Sequence, residues 1–371
     1  MSSSSARAAP PNPREPSTSE SSGSDQSPRT GSFWNRHRRA VATAVAALVG
    51  LGLVYYVLPR AIGLGPTIKR LRQGDLWWLA LGVLFEAGSM SGDTALLRGV
   101  FSAPDERMSW RSAWQITLAG AAATKLFAAA GAGGIAVWVW ALRGFGYTGG
   151  AVARGMVCFE VITYSVYMVA LMVGGLGLWF GLFSGPAPLG VTLIPALLGA
   201  LVIVVVLAMA ILDEPAERFL LRRAERSTGR LSGWLRAAAA LPRSLRGGLD
   251  GAATMLKRRD PSLLGALATW GFDIATLWAC FRAFGHSPPG AVLVMGYYIG
   301  TLGNALPLPG GVGGVEGGMI GAFIAFGVSS HLAVLAVLAY RTISYWLPTI
   351  PGAIAYFQLR HRLDAEEAPS S

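Results

Sequence analysis

Repeated runs of about twenty apolar residues constrain this chain more than any other feature of its sequence. They lie near residues 40–59, 76–97, 155–183, 188–212, 261–284 and 331–358. A helix needs about 20 apolar residues to cross the hydrocarbon core of a bilayer. With 53% hydrophobic and only 14% charged residues, the chain is also too apolar for a soluble domain. The sequence therefore predicts an all-α, polytopic integral membrane protein with about six full transmembrane helices.

Two further apolar regions, 112–142 and 291–327, are interrupted by glycine or proline. Irregular backbone at membrane depth survives only where protein buries it or where it lines a cavity, because lipid offers no hydrogen-bond partners. We therefore predict that each region is a re-entrant pair of half-helices. The residues that make the two breaks are Gly131, Gly133, Gly134, Pro307, Pro309, Gly310, Gly311, Gly313 and Gly314.

The two broken regions belong to an internal repeat. A shift of 180 residues superposes the two glycine clusters, and a shift of 181 superposes Glu160 on Arg341. The distribution of arginines places the first broken pair on the cytoplasmic face and the second on the outer face. The halves are then inverted repeats, the layout of many secondary transporters.

The basic residues also define the predicted domain organisation. Residues 1–32 are Ser- and Pro-rich and are predicted to form a disordered cytoplasmic tail. One transmembrane domain is expected over 33–360, followed by a cytoplasmic tail at 361–371. Its first half is predicted at 76–212 and its second half at 261–358, and the 213–260 loop between them carries eleven Lys/Arg against six Asp/Glu.

The net charge of +11 is concentrated beside the apolar runs rather than on a folded basic domain. This pattern is typical of positive-inside topology and argues against a nucleic-acid partner. It predicts a multi-pass protein of the plasma membrane with both termini in the cytoplasm.

Several charged residues fall inside predicted spans, where each costs on the order of 2.5 to 3.5 kcal/mol unless it faces a partner or a cavity. The candidates for a substrate path are Lys125, Glu160, Asn304, Glu316 and Arg341, and the secondary intramembrane charges are Glu86, Asp93 and Asp273. Lys125 and Glu316 are favoured because they lie in segments that are already broken, and a lysine suits an anionic head group such as a phosphate.

Structural roles remain open for several of these residues. Glu160 and Arg341 could pair across the repeat axis and simply hold two helices together. Asp93 could form an interfacial pair with Arg98. Asn304 could cap a half-helix instead of binding a head group.

No catalytic, metal or nucleotide motif accompanies these charges. The two cysteines lie apart inside predicted spans, and the four histidines show no zinc-binding spacing. The sequence therefore predicts no metal, no cofactor and no enzymatic activity, and any driving force must come from a gradient, a coupled proton or mass action.

The second repeat resembles a known family. Pro307, Pro309, Gly310, Gly311 and Glu316 reproduce its PxPGGxGxxE pattern, and the segment Tyr340 to Pro348, with Arg341, reproduces its YR dipeptide and aromatic-proline helix. The pattern is similar to that of the lysylphosphatidylglycerol synthase transmembrane-region family, a group of flippase-like membrane domains. The first half departs from the pattern because Ala129-Ala130-Gly131 lacks the proline found there in some relatives.

That resemblance implies movement of a lipid between leaflets. The cargo it implies is an anionic or modified phospholipid, such as aminoacylated phosphatidylglycerol, or a polyprenyl-linked lipid. The 371 residues leave no room for the soluble aminoacyl-transferase domain of the full synthase, so the chain is not expected to make the lipid it would move.

Two other functions stay open. The protein could be a membrane-embedded head-group transferase with Glu316 and Asp273 as acid and base. It could instead be an accessory subunit that docks a separate lipid-modifying enzyme. A homodimer is a further alternative for its assembly.

Overall fold

The architecture is taken from a computed structural model that describes residues 74–102, 108–126, 132–211, 222–223, 245–305 and 311–367. They belong to one compact unit, Ala46–Ser371. The predicted tail 1–32, the predicted span 40–59 and most of the 213–260 loop lie outside the described residues. Every secondary-structure element within the described ranges is helical, as the all-α prediction requires.

The first half contains five helices and one short turn among the described residues. They are α1 (Leu76–Val100), α2 (Trp110–Leu126), α3 (Ala132–Gly144), α4 (Gly149–Trp179), a 3₁₀ turn (Leu189–Val191) and α5 (Leu193–Ile211). Helical residues 245–257, here α6, follow and pack on the beginning of α4, where Gly248 lies against Val157.

The second half repeats this order. Its elements are α7 (Leu263–Phe284), α8 (Gly290–Thr301), a 3₁₀ turn (Leu302–Ala305), α9 (Gly314–Ala325), α10 (Ser330–Arg341), a π-helical turn (Thr342–Trp346) and α11 (Thr349–Glu367).

Four helical stretches are long and apolar enough to cross a membrane. They are Gly149–Trp179, Leu189–Ala208, Leu263–Phe284 and Ser330–Asp364, and they correspond to four of the predicted spans. The predicted span 76–97 forms α1, whose 25 residues reach about 37 Å and so exceed the bilayer core. The prediction of a polytopic membrane protein is confirmed.

The helices α1 and α7 pack against each other along their lengths and run antiparallel. At one end of the pair the Asp75 amide donates to the Ala283 carbonyl, 3.0 Å away. Further along, Ser89 meets Thr269. Residue numbers rise on α1 as they fall on α7, so the two helices cross the bilayer in opposite senses.

Ser89 and Thr269 mark the symmetry axis between the halves. The Ser89 hydroxyl donates to the Thr269 carbonyl at 3.0 Å, and the Thr269 hydroxyl oxygen lies 3.4 Å from the Ser89 carbonyl oxygen. They are 180 residues apart, the same shift that superposes the glycine clusters. A residue contacts its own repeat equivalent only where a two-fold axis passes between them, so α1 and α7 are related as inverted repeats.

Small residues bring α1 and α7 into backbone contact beside this axis. A side-chain carbon added at Gly92 would lie 2.6 Å from the Thr269 amide nitrogen, and one added at Gly265 would lie 2.5 Å from the Gly92 carbonyl oxygen. Membrane helices approach this closely only where small residues face each other.

Each half also contains a tight helical hairpin. In the second, α8 and α9 have 12 residues each, about 18 Å, too short to cross the bilayer core. A side-chain carbon at Gly303 would lie 2.4 Å from the Gly314 carbonyl, and one at Gly318 would lie 3.1 Å from the Gly300 Cα. The contacts run antiparallel, so the chain enters and leaves on the same side.

The first hairpin, α2 and α3, repeats this packing. A side-chain carbon at Gly120 would lie 2.0 Å from the Trp138 Nε1, and this pair corresponds to Gly300 and Gly318 under the 180-residue shift. The predicted pair of re-entrant segments therefore exists as two hairpins with equivalent contacts.

Each hairpin packs on the long helical segment that follows the hairpin of the opposite half. In one direction α2 packs on α11, where a side-chain carbon at Gly352 would lie 2.4 Å from the Leu118 carbonyl. In the other, α8 packs on α4, where the Tyr167 hydroxyl donates to the Tyr298 carbonyl at 2.8 Å. The two halves are thus interlocked around the α1–α7 pair.

Replacing Gly265 by leucine is predicted to destabilise the fold by roughly 1–3 kcal/mol or more, because overpacking must push α1 and α7 apart. Gly271→Ala, on the same helix but facing open space, is the matched control. Thermal denaturation of the detergent-solubilised protein, followed by size-exclusion chromatography, measures the difference. Equal melting of the two variants would contradict the close α1–α7 contact.

Candidate functional site

The π-helical turn Thr342–Trp346 leaves a carbonyl group without its helical partner inside the membrane domain. In an α-helix the Ser344 carbonyl would accept from the amide of residue 348, but residue 348 is a proline and has no N–H. The Lys125 ammonium takes that place, donating to the Ser344 carbonyl at 2.7 Å. A lysine at the end of α2 therefore satisfies a backbone break in the other half of the molecule.

Tyr345 completes this junction in the opposite direction. Its hydroxyl donates to the Lys125 carbonyl at 2.8 Å, which satisfies one of the acceptors that a helix leaves open in its last turn. The Lys125 ammonium lies 5.6 Å from the Tyr345 ring centroid, and the Arg341 guanidinium carbon lies 4.7 Å from it. Both cations therefore lie within reach of the ring's negative face.

Arg341 forms an ion pair with Glu316. Its Nε lies 2.7 Å from Glu316 Oε1, and the two side chains are only 9% and 12% exposed. The other Glu316 oxygen accepts from the Gly313 amide at 2.7 Å, so Glu316 also caps the start of α9. The ion pair ties the broken segment before α9 to the end of α10. Arg341 thus takes Glu316 as its ion-pair partner, and Glu160 has no ion pair within the described ranges.

Asp273 lies on α7 and accepts two tyrosine hydrogen bonds. Its Oδ2 receives the Tyr297 hydroxyl at 2.5 Å and the Tyr340 hydroxyl at 3.0 Å. These tyrosines come from α8 and α10, so one carboxylate joins three helices of the second half. The buried Oδ1 has no hydrogen-bond partner within the part of the chain that the structure describes.

Glu86 lies opposite Asp273, on α1. The residue is only 3% exposed. Its Oε2 also lacks a hydrogen-bond partner among the described residues. It interacts electrostatically with Asp273, Lys125 and Asp93, and lies within hydrogen-bonding reach of the Asp273 carboxyl group.

Asp93 lies two helical turns after Glu86, on the same face of α1. It does not form an interfacial ion pair with Arg98, the alternative that the sequence left open. Its Oδ1 instead accepts from the Thr269 hydroxyl at 3.0 Å. Arg98 Nε donates to the Met108 carbonyl at 2.8 Å. Asp93 thus lies at the α1–α7 contact, close to the axis.

Two further predicted site residues are described in the structure, Glu160 and Asn304. Glu160, on α4, interacts electrostatically with Asp93. Asn304 is exposed in the 3₁₀ turn after α8, with its side-chain oxygen close to Gly311, and the N-cap of α9 is Gly313 rather than Asn304. The predictions for Gly131, Pro307, Pro309 and Gly310 fall outside the described residues.

Six of the predicted intramembrane charges therefore meet in one region, here called the charge cluster. Its members are Glu86, Asp93, Lys125, Asp273, Glu316 and Arg341. They come from both halves: α1 and α2 supply three, and α7, α9 and α10 supply the others.

Tyrosines form the part of this site that the sequence analysis missed. Tyr297, Tyr340 and Tyr345 each hydrogen-bond a cluster residue. Their position in apolar segments, where a hydroxyl needs a partner, was a signal that could have directed attention to them. Pro348 belongs to the aromatic-proline pattern of the sequence. That Lys125 replaces its missing N–H at the Ser344 carbonyl could not be predicted, because this contact depends on the fold.

The sequence model of the family described as "Lysylphosphatidylglycerol synthase TM region" matches residues 41–352 of this chain. The chain belongs to that family. The match extends over both halves, so the two hairpins, the α1–α7 pair and all six members of the charge cluster lie within the family domain.

Individual relatives are similar over shorter stretches. A UPF0104 membrane protein of Methanothermobacter thermautotrophicus is 36% identical over 110 residues, which is 29% of this chain and 31% of that protein. A UPF0104 membrane protein of Methanocaldococcus jannaschii is 32% identical over 97 residues, 26% of this chain and 29% of the relative. One from Pyrococcus horikoshii is 29% identical over 29% of this chain and 32% of its own length. The matches thus span about a third of each relative.

The junction between Lys125 and Ser344 can be tested with a double-mutant cycle. Lys125→Met is predicted to destabilise the protein by about 1–3 kcal/mol, because it leaves a buried carbonyl unsatisfied. Pro348→Ala restores an N–H at the position that an α-helix uses to satisfy that carbonyl. In the Pro348→Ala background, Lys125→Met should therefore cost less.

The free energies of unfolding of the four proteins, measured by denaturant titration in detergent, give the coupling between the two sites. Additive effects would show that Lys125 does not substitute for the missing N–H.

Proposed function

We propose that this protein moves a membrane lipid between the two leaflets, with the head group passing the charge cluster while the acyl or prenyl tails stay in the bilayer. The observation that carries the proposal is the position of the cluster. It lies where two inverted halves interlock, with contributions from a hairpin of each half. In secondary transporters with inverted repeats, substrate sites occupy this position.

A polar head group meets the same desolvation barrier as a buried charge when it crosses hydrocarbon. Buried and half-buried cations and carboxylates at the meeting point of the halves would replace part of its hydration. Lys125 and Arg341 suit a lipid phosphate because both are charged donors. The contact from Lys125 to the Ser344 carbonyl is one that a phosphate oxygen can replace, since the lysine then keeps a hydrogen-bond acceptor.

The apolar surface of the fold gives the lipid tails a place outside the cluster. On α5 the side chains of Leu197, Leu201 and Val204 are all more than half exposed, and their helix is the most hydrophobic of the four long stretches. Such a surface faces acyl chains in a bilayer. Head group and tails would then travel in different surroundings at the same time.

The cargo we propose is an anionic or modified phospholipid, aminoacylated phosphatidylglycerol included, or a polyprenyl-linked lipid. The family description names a synthase of lysylphosphatidylglycerol, which favours the first class. We place the protein in the plasma membrane with both termini in the cytoplasm, on the strength of the arginine distribution.

A head-group transferase is the second candidate, with Glu316 and Asp273 as acid and base. The hydrogen-bond partners of these carboxylates favour transport instead. Glu316 is held by Arg341 and the Gly313 amide, and Asp273 is held by Tyr297 and Tyr340. Carboxylates with separate partners of this kind support helix junctions rather than one reaction centre.

Lipid translocation in proteoliposomes tests the proposal. Wild-type protein should move head-group-labelled phosphatidylglycerol, or a polyprenyl-phosphate analogue, between leaflets. Arg341→Ala and Glu316→Gln should slow that movement about tenfold or more, since a charged hydrogen bond is worth about 1.5–3 kcal/mol. Arg360→Ala is the control, because Arg360 forms an exposed pair with Asp364 on α11.

Two results would count against lipid translocation. Failure of the folded wild-type protein to move either lipid would contradict the proposal and favour a head-group transferase or an accessory subunit. An accessory role would be supported if deletion within the 213–260 loop abolished the cellular function while Arg341→Ala left it intact.

A further inference from the structure

Two neighbouring carboxylates at the α1–α7 contact each have one buried oxygen without a hydrogen-bond donor among the described residues. One is Oε2 of Glu86 and the other is Oδ1 of Asp273, and neither has a partner among the described residues. Their carboxyl groups are within hydrogen-bonding reach of each other. Both atoms can only accept when ionised, so the two groups cannot satisfy each other in that form.

One proton resolves the mismatch. A protonated carboxyl group has an O–H donor, so a proton on either residue lets one carboxyl group donate a hydrogen bond to the other. A hard metal cation fits less well, because such ions take roughly six to eight oxygen ligands. The hydroxyls of Tyr297 and Tyr340 are already committed to the other Asp273 oxygen.

The surroundings supply too few cations to neutralise the carboxylates. The charge cluster contains four carboxylates, Glu86, Asp93, Asp273 and Glu316, and two cations, Lys125 and Arg341. Arg341 is paired with Glu316, which leaves Lys125 to face the other three. An uncompensated buried charge is costly, and a bound proton removes one.

The titratable groups that act on the pair come from α1, α2, α7, α8 and α10, while α4 packs on α1 and α7 and places Glu160 near Asp93. On the two helices of the pair, Asp93 lies on α1 with Glu86, and Cys280 lies on α7 with Asp273. Lys125 comes from α2. The other groups are Tyr297 and Tyr298 of α8 and Tyr340 and Arg341 of α10. None of the tyrosines or the thiol carries charge in the neutral range under ordinary conditions, so Lys125, Asp93 and Arg341 are the charges that modulate the pair.

We propose that Glu86 and Asp273 form a proton-binding site, and that its protonation couples lipid movement to a proton gradient. The coupling part rests on the proposed lipid transport, whereas the proton site does not.

The position of the pair gives the coupling its physical basis. Glu86 lies one helical turn from Ser89, and Asp273 lies one turn from Thr269, the two residues on the symmetry axis. Protonated, the carboxyls form a hydrogen bond across the α1–α7 contact and hold the halves together. Without the proton, two negative charges oppose each other there, which favours separation. A change of this kind at a two-state interface is how protonation drives conformational switching.

Infrared spectroscopy tests the proton site directly. A pH titration of purified wild-type protein should show the carbonyl stretch of a buried, protonated carboxyl group. The double variant Glu86→Gln/Asp273→Asn keeps a hydrogen bond across the contact through its amides, and it should lack that band. Asp364→Asn, an exposed control on α11, should retain it. A wild-type band that persists unchanged in the folded double variant would overturn the site.

Proteoliposomes with a defined pH difference test the coupling. The wild-type translocation rate should rise severalfold when the pH gradient is applied in one direction. The double variant should move lipid at the same rate with and without the gradient. Wild-type lipid transport that ignores the pH gradient would overturn the coupling and leave lipid transport standing. A response to a sodium gradient in its place would overturn the proton as the ligand.

The two proposals fail separately. If the infrared band is present and assigned to the pair but no lipid moves, the lipid-transport proposal fails and the proton site is supported.

Discussion

The close antiparallel contact of α1 and α7 is the constraint on which the rest of the structure depends. Two glycines bring the backbones together, and the Ser89 hydroxyl donates to the Thr269 carbonyl across the axis. Because these residues are repeat equivalents, the contact relates the halves by inversion. It also brings Glu86 close to Asp273, so the packing that allows the fold also places two carboxylates, each with an unpartnered oxygen among the described residues, next to each other.

A second set of contacts prevents the halves from acting as independent units. Pro348 removes a helical hydrogen bond in the second half, and Lys125 from the first half supplies the missing donor. Tyr345 returns a hydrogen bond to the Lys125 carbonyl. A backbone defect in one repeat is thereby stabilised by a side chain of the other. A transport cycle that moved the halves apart would break these contacts. A lipid phosphate could then accept from Lys125, and water could donate to the Ser344 carbonyl.

Much of the fold could be predicted because its signals are local. Apolar runs of spanning length predicted the long helices, and the 180-residue shift predicted the equivalence of the two hairpins. The partners of individual charges could not be predicted in the same way. Arg341 was considered with its repeat equivalent Glu160, but its ion pair is with Glu316, because α9 and α10 are neighbours in space. The role of each charge in a substrate path stays a prediction.

The inverted arrangement is tested most directly by the sidedness of two equivalent positions. Gly149 and Ser330 begin α4 and α10, are exposed, and correspond under the 181-residue shift.

In a background where buried Cys158 and Cys280 are changed to alanine, single variants Gly149→Cys and Ser330→Cys would be treated with a membrane-impermeant thiol reagent in sealed vesicles of known orientation. With inverted halves, Gly149→Cys should react only from the cytoplasmic side and Ser330→Cys only from the outer side. Labelling of both from the same side would contradict the inverted repeat and the transport mechanism built on it.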